Sequence, residues 1–227
     1  YVVIEDSALA IDSYYKNKPL GSIGEFSAFS FHETKNITSG EGGMLVISDS
    51  SFNKRAEVIR EKGTNRSAFS RGEIDKYGWI DIGSSFLPSE ITAAFLYAQL
   101  EILNDIQKKR KELWNHYYHI LKPLSEKGFI KLPVIPNYSV NNGHLFYILC
   151  DNENSRANLI KHLRKDNIHA VFHYLSLHKS NYYSDRYKGE PLHNSDKFSE
   201  TLLRLPMFFE LTLDDVEKIS RSIYMFY

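Results

Sequence analysis

Residues 21–48 read GSIGEFSAFSFHETKNITSGEGGMLVIS, and the order of residue types in that stretch decides the fold. Phe26-Ser27-Ala28-Phe29-Ser30-Phe31 has the period-two character of a strand. A polar loop carrying Lys35 follows. The glycine-rich turn Ser39-Gly40-Glu41-Gly42-Gly43 then leads into a second apolar run, Met44-Leu45-Val46-Ile47. Upstream, Val2-Val3-Ile4 reads as a strand closed by the acidic pair Glu5-Asp6. Working outward, strands at 2–4, 26–31 and 44–47 alternate with helices at 51–61 and 89–103, which is an α/β pattern.

The residue types in this order point to one kind of chemistry. A lysine amine can hold the aldehyde of pyridoxal 5'-phosphate as a Schiff base and, once released, can move a proton between substrate and cofactor carbons. A carboxylate beside the pyridine nitrogen keeps that nitrogen protonated, so that the ring accepts electrons; Asp6 is the candidate. Ser30 is the candidate for a hydrogen bond to the phosphate. Each residue also has a plainer reading: an acidic pair as a turn or helix cap, a lysine as surface charge, Ser30 as one strand position among others. The combination favours the chemical reading.

The segments VIEDSALA, GSIGEFSAFSFHETKNITSGEGGMLVIS and IREKGTNR resemble the DegT/DnrJ/EryC1/StrS sugar aminotransferases, whose motifs run Glu-Asp-small-Ala, Ser-Phe-x-x-x-Lys and Gly-Glu-Gly-Gly. The likeness continues through RGEIDKYGWIDIGSSFLPSEITAAFLYAQLE, NNGHLFYIL, VFHYLSLH and LLRLPMFFELT, essentially the whole chain. Within the family, EKGTNR and the DKYxWxDIGSS pattern look most like the dTDP-4-amino-4,6-dideoxygalactose transaminases. The resemblance implies part of the large domain of a fold type I, pyridoxal-phosphate-dependent aminotransferase over residues 1–105, and a smaller α+β domain over 106–227. It assigns Asp6 to the ring nitrogen, Ser30 to the phosphate and Lys35 to the covalent link. Ser85 stands where many relatives have an asparagine that reaches the cofactor phosphate of the neighbouring subunit, which implies a homodimer with composite active sites. Leu9 replaces the usual glutamine or histidine near the cofactor's phenolic oxygen and cannot hydrogen-bond it.

The implied reaction moves the amino group of L-glutamate to a dTDP-4-keto-6-deoxy sugar in the cytoplasm, for cell-surface glycans such as O-antigen. Relatives that dehydrate sugars carry histidine in place of the lysine, and Lys35 argues against that activity. Because the chain opens on Tyr1 inside an apolar run, it reads as a carboxy-terminal fragment. The portion expected before it holds the phosphate turn and an aromatic ring, so the fragment alone is expected to be inactive, and a non-catalytic, dimerising or regulatory role is the alternative.

Lysine plus arginine equals aspartate plus glutamate at 28 each, so no basic field draws nucleic acid or anionic membrane. Over 227 residues, 42% hydrophobic and 14% aromatic content suffices for a sizeable core, expected to rest largely on Tyr and Phe. The one cysteine, Cys150, excludes an intrachain disulfide.

Local signals place Ser51 as the cap of the first helix, Gly63 as its stop and Ser89 as the cap of the second. In that second helix Ile91, Ala94, Phe95 and Ala98 recur on one face, expected to be buried in core or dimer packing. A helix over 106–124 sets Leu113, Tyr117, Leu121 and Leu124 on one side, with Lys108, Lys109, Arg110 and Lys111 as a solvated basic cluster. Beyond Pro136 follow strands at 145–149 and 168–172, a helix capped by Ser155, and helices beginning near Ser195 and Thr212. His169, His173 and His178 match no zinc spacing, so no metal is expected. By the resemblance, His173 and His178 lie at the rim that holds the sugar, in a segment where Ser176 replaces the usual proline. His32 is a candidate for contact with cofactor or substrate, and equally for a core histidine bonded to backbone.

Overall fold

The computed structural model describes residues 1–227, and the chain divides into two compact units: 1–104 with 138–140, and 105–137 with 141–227.

The first unit is built on a three-stranded sheet of β1 (Ile4–Asp6), β4 (Phe26–Ser30) and β5 (Gly43–Ile47), with β4 in the centre. β1 runs parallel to β4 and β5 antiparallel to it, ending with Ser30 opposite Gly43. Gly43 has to be glycine, because a Cβ there would lie 2.8 Å from the Phe29 carbonyl oxygen. A second small sheet joins β2 (Tyr14–Tyr15), β3 (Lys18–Pro19) and β6 (Ser139–Val140). Helices α1 (Asn53–Arg60), α2 (Arg66–Ser70) and α3 (Glu90–Glu101) complete the unit.

The second unit is organised by α4 (Leu103–Glu126), whose Leu113, Tyr117, Leu121 and Leu124 are all buried, as their spacing requires. They pack with an antiparallel sheet of β7 (Phe146–Leu149), β9 (Leu202–Leu205) and β8 (Val171–Phe172), and with α5 (Glu153–Lys165) and α7 (Leu213–Phe226). Helix α6 (His193–Thr201) leads directly into the central strand β9. Tyr117 stacks on Phe146 at 5.0 Å, and its hydroxyl donates to the Pro206 carbonyl at 3.0 Å.

Several sequence expectations are corrected. The first strand is 4–6 and not 2–4, so the acidic pair lies within the ladder, paired residue for residue with Ser27 and Ala28. Ser51 does not cap α1: Asp49 caps a short 3₁₀ turn ahead of it, accepting the Ser51 N–H at 2.9 Å, and α1 begins without a side-chain cap. Ser155 is likewise the donor to the true cap, Asn152, at 3.0 Å. The strand over 168–172 shrinks to two residues, and LLRL, 202–205, is a strand that was not foreseen. The α3 face expected in core or dimer packing is not in the core of its own unit: Ile91 is 84% exposed, and no residue of that helix is buried. The core rests on leucine and isoleucine: of 15 Tyr and 14 Phe, only Tyr117, Phe31 and Phe146 are buried. Arg110 is not part of a solvated cluster. It is buried and donates to the carbonyls of Gly143 at 3.1 Å, His144 at 2.6 Å and Met207 at 3.4 Å. Desolvation lowers its guanidinium to about 10, against an opposing pull from Glu210.

The cap at Ser89 stands as read, and the helix expected near Thr212 begins there, with Thr212 as its cap. Ser89 accepts the Thr92 N–H, and Thr212 forms a reciprocal capping box with Asp215. Gly63 also stands as the stop after α1, with φ +76° and its N–H donating to the Val58 carbonyl at 2.8 Å. It is doubly required, since a Cβ would fall 1.8 Å from the Asp81 carbonyl oxygen. No helix is long and apolar enough to cross a membrane.

Candidate active site

The strand β1 separates the acidic pair. Neighbouring strand residues point to opposite faces, so Glu5 and Asp6 are assigned different tasks by geometry alone. The Glu5 carboxylate accepts backbone N–H groups from Gly21 at 2.8 Å, Ile23 at 2.6 Å and Gly24 at 2.7 Å. Burial raises its pKa, but the bonds from Gly24, Gly21 and Ile23 outweigh it and hold the group below the usual carboxylate value. Glu5 thus ties the 21–24 turn to the sheet. Asp6 is exposed, and its carboxylate accepts one backbone bond, from Ala8 N–H at 3.2 Å.

Asp6 pairs with Ala28, and Ser30 lies two residues further along β4, so Asp6 and Ser30 share one face of the sheet. Both stand at the carboxyl ends of parallel strands, where open α/β sheets bind their ligands. The Ser30 hydroxyl accepts the His32 N–H at 3.3 Å.

Lys35 follows on a loop whose backbone is fixed at several points. Phe31 N–H donates to Gly42 at 2.8 Å, Ser39 N–H donates to the Phe31 carbonyl at 2.8 Å, and Lys35 N–H closes a turn on His32 at 2.9 Å. Phe31, Asn36 and Ile37, which flank Lys35 in the chain, are buried. From α3, the Gln99 side-chain amide grips the Thr38 backbone twice, accepting its N–H at 3.0 Å and donating to its carbonyl at 2.7 Å. The Lys35 side chain, half-buried, therefore rises from a backbone that the sheet, the glycine turn and α3 all hold. A positioned primary amine of this kind is what covalent chemistry at a carbonyl requires.

His32 bonds backbone: its Nδ1 accepts the Thr34 N–H at 3.2 Å and lies 3.0 Å from Thr34 Oγ1, while Nε2 lies 3.7 Å from Glu41 Oε1. It bridges the lysine loop and the glycine turn. Ser85 sits in an exposed segment that pairs with Glu61 at the end of α1. The stretches 61–66 and 75–85 pack on one another there: Ile80 and Asp81 N–H groups donate to Gly63, Asn65 N–H to Gly78, and Lys62 N–H to Ser84.

His173 and His178 belong to the second unit. His178 is nearly buried, with Nε2 3.1 Å from Asp196, which also binds Lys179 at 2.9 Å. The His173 Nδ1 lies 2.7 Å from the Arg204 guanidinium. Neither Gln99 nor Arg204 was singled out in the sequence. Each is a polar residue inside an otherwise apolar run, TAAFLYAQL and LLRLP, and that is the signal that marks them.

The chain matches the DegT/DnrJ/EryC1/StrS aminotransferase family over residues 1–224. It is 30% identical to an uncharacterized protein of Methanocaldococcus jannaschii over 97% of its own length and 58% of that protein's. Among solved structures, it is similar to Helicobacter pylori PseC, an aminotransferase involved in the biosynthesis of pseudoaminic acid, at TM-score 0.86 and 26% identity, covering 100% of this chain and 59% of that one. A Streptococcus pneumoniae protein solved in a PLP form shares the fold at TM-score 0.85 and 23% identity, over 99% and 57% of the two chains. The chain thus spans less than three fifths of the length of these relatives.

Proposed function

The chain belongs to the DegT/DnrJ/EryC1/StrS aminotransferase family, with part of the fold type I architecture, and we propose that its parent protein transfers the amino group of L-glutamate to a dTDP-4-keto-6-deoxy sugar. The product is a dTDP-4-amino-4,6-dideoxy sugar for a cell-surface glycan. The observation that carries this reading is the shared edge of Asp6 and Ser30, followed by the tied-down loop of Lys35.

The donor set fits pyridoxal 5'-phosphate by its chemistry: a carboxylate for the ring nitrogen, a hydroxyl for the phosphate and an amine for the aldehyde. When bound, the cofactor supplies the electron sink for carbanion chemistry at the amino-bearing carbon. Asp6, exposed and not committed to the fold as Glu5 is, holds a proton at the ring nitrogen. Ser30 orients the phosphate. Lys35 would hold the aldehyde through its amine and, with that amine free, would be the base that moves the substrate proton. Ser85 donates to the phosphate of a neighbouring subunit, so the working form is a homodimer with composite sites. His32, His173 and His178 contribute to the sugar side.

The test is formation of 2-oxoglutarate from glutamate by the full-length parent with the keto sugar. Lys35→Ala is expected to lower turnover by on the order of 10⁴-fold or more. Retained turnover in that variant would overturn the assignment.

A further inference from the structure

We infer that Arg204 is a positioning residue that fixes the neutral, Nε2-protonated form of His173, so that His173 meets the sugar substrate as a hydrogen-bond donor and not as a cation. The sugar enters from the function proposed above; the form of the ring follows from the geometry.

Arg204 lies on the central strand β9, in register with Tyr147 of β7 on one side and Val171 of β8 on the other. His173 is two residues beyond Val171 and so falls on the same face. The guanidinium Nη1 lies 2.7 Å from His173 Nδ1. Guanidinium groups donate and never accept, and they keep their charge. The lone pair at Nδ1 must therefore receive the bond, which places the single proton of the neutral ring on Nε2. Protonating Nδ1 would break that bond and set two cations side by side.

The surroundings favour the same state. Burial first, and then the Arg204 charge, pull the His173 pKa below its ordinary value. The Tyr147 phenol, in register on β7, is pushed up by burial and stays neutral. The Tyr174 ring lies 3.8 Å from the imidazole, centroid to centroid. On the opposite face, Arg156 of α5 covers the Phe172 ring and is paired with Glu153 at 3.3 Å. From α6, the Ser199 hydroxyl donates to the Tyr174 carbonyl. No carboxylate bonds either partner, and the Arg204 Nε is buried without a hydrogen bond. A guanidinium placed for a structural ion pair would have an acid; this one has an imidazole.

The experiment is long-range ¹⁵N–¹H NMR of the histidine-labelled full-length protein, with the His173 signals assigned by their loss in His173→Phe. The wild type is expected to show the Nε2–H pattern at neutral pH, and this readout needs no variant of Arg204. In Arg204→Met, the His173 titration should move up by about one pH unit and the ring should populate both tautomers, whereas Arg204→Lys should restore the wild-type pattern. Because His173 must stay neutral, the acid limb of kcat/KM should move to higher pH in Arg204→Met. His173→Phe should raise KM for the sugar roughly three- to tenfold with kcat little changed. An Nδ1–H ring in the wild type, or an unmoved titration in folded Arg204→Met, would overturn the role of Arg204. The inferred tautomer with an unchanged KM in His173→Phe would overturn the donor role toward sugar. Absence of transamination in the wild type would instead overturn the proposed reaction, a result distinct from either.

Discussion

Two helices, one in each unit, carry comparable apolar stripes and meet opposite fates. On α4 the stripe of Leu113, Tyr117, Leu121 and Leu124 is sealed against β7, β9, α5 and α7. On α3 the stripe that begins at Ile91 and Phe95 lies open, and the sheet of the same unit leaves Ile4 and Leu45 exposed as well. The unit that carries Asp6, Ser30 and Lys35 is thus the one whose apolar surface its own residues do not cover. Periodicity reports which face of a helix is apolar; it does not report what covers that face. The proposed homodimer would supply such a cover.

This contrast can be broken or sharpened by substitution. The largest effect is expected in the sealed core, where Leu121→Ala should cost about 2–5 kcal/mol in urea unfolding of this chain. Arg110→Met should follow at about 1–3 kcal/mol, because it strips the donors from the buried carbonyls of Gly143 and His144. Glu5→Gln tests the turn that supports β1, and its signature is pH dependence. The folded-state pKa of Glu5 is depressed, so its contribution is present above the unfolded carboxyl value and is lost as pH falls through the folded one. The urea midpoint of wild type should therefore decline in acid more steeply than that of Glu5→Gln. The smallest effect is expected for Ile91→Ala, within about 0.5 kcal/mol in this chain. The same change should weaken self-association of the full-length parent, read by sedimentation; a large loss of stability in the isolated chain would break the comparison.

What the sequence made legible was local. The α4 stripe, the Ser89 cap, the helix start near Thr212 and the Gly63 stop all depend on residues within one or two turns, and all stand in the structure. The caps that failed, Ser51 and Ser155, failed to nearby competitors: Asp49 and Asn152 sit upstream and accept the N–H groups of those same serines. The order Asp6, Ser30, Lys35 was visible, but the division of labour between Glu5 and Asp6 was not. It depends on strand register, and a shift of one residue reverses the faces. Arg110, Gln99 and Arg204 were hidden because their partners lie 33, 61 and 31 residues away. Only the folded chain brings those groups together.

The central claim is that Lys35 is the residue that bonds the cofactor. Its most direct test is peptide mass spectrometry of the full-length parent after incubation with pyridoxal 5'-phosphate and borohydride reduction. The account predicts cofactor mass on the peptide that contains Lys35, and none on that peptide in Lys35→Ala. A folded, dimeric parent with no adduct at Lys35 would contradict it and leave Leu9 as the mark of a lost cofactor site.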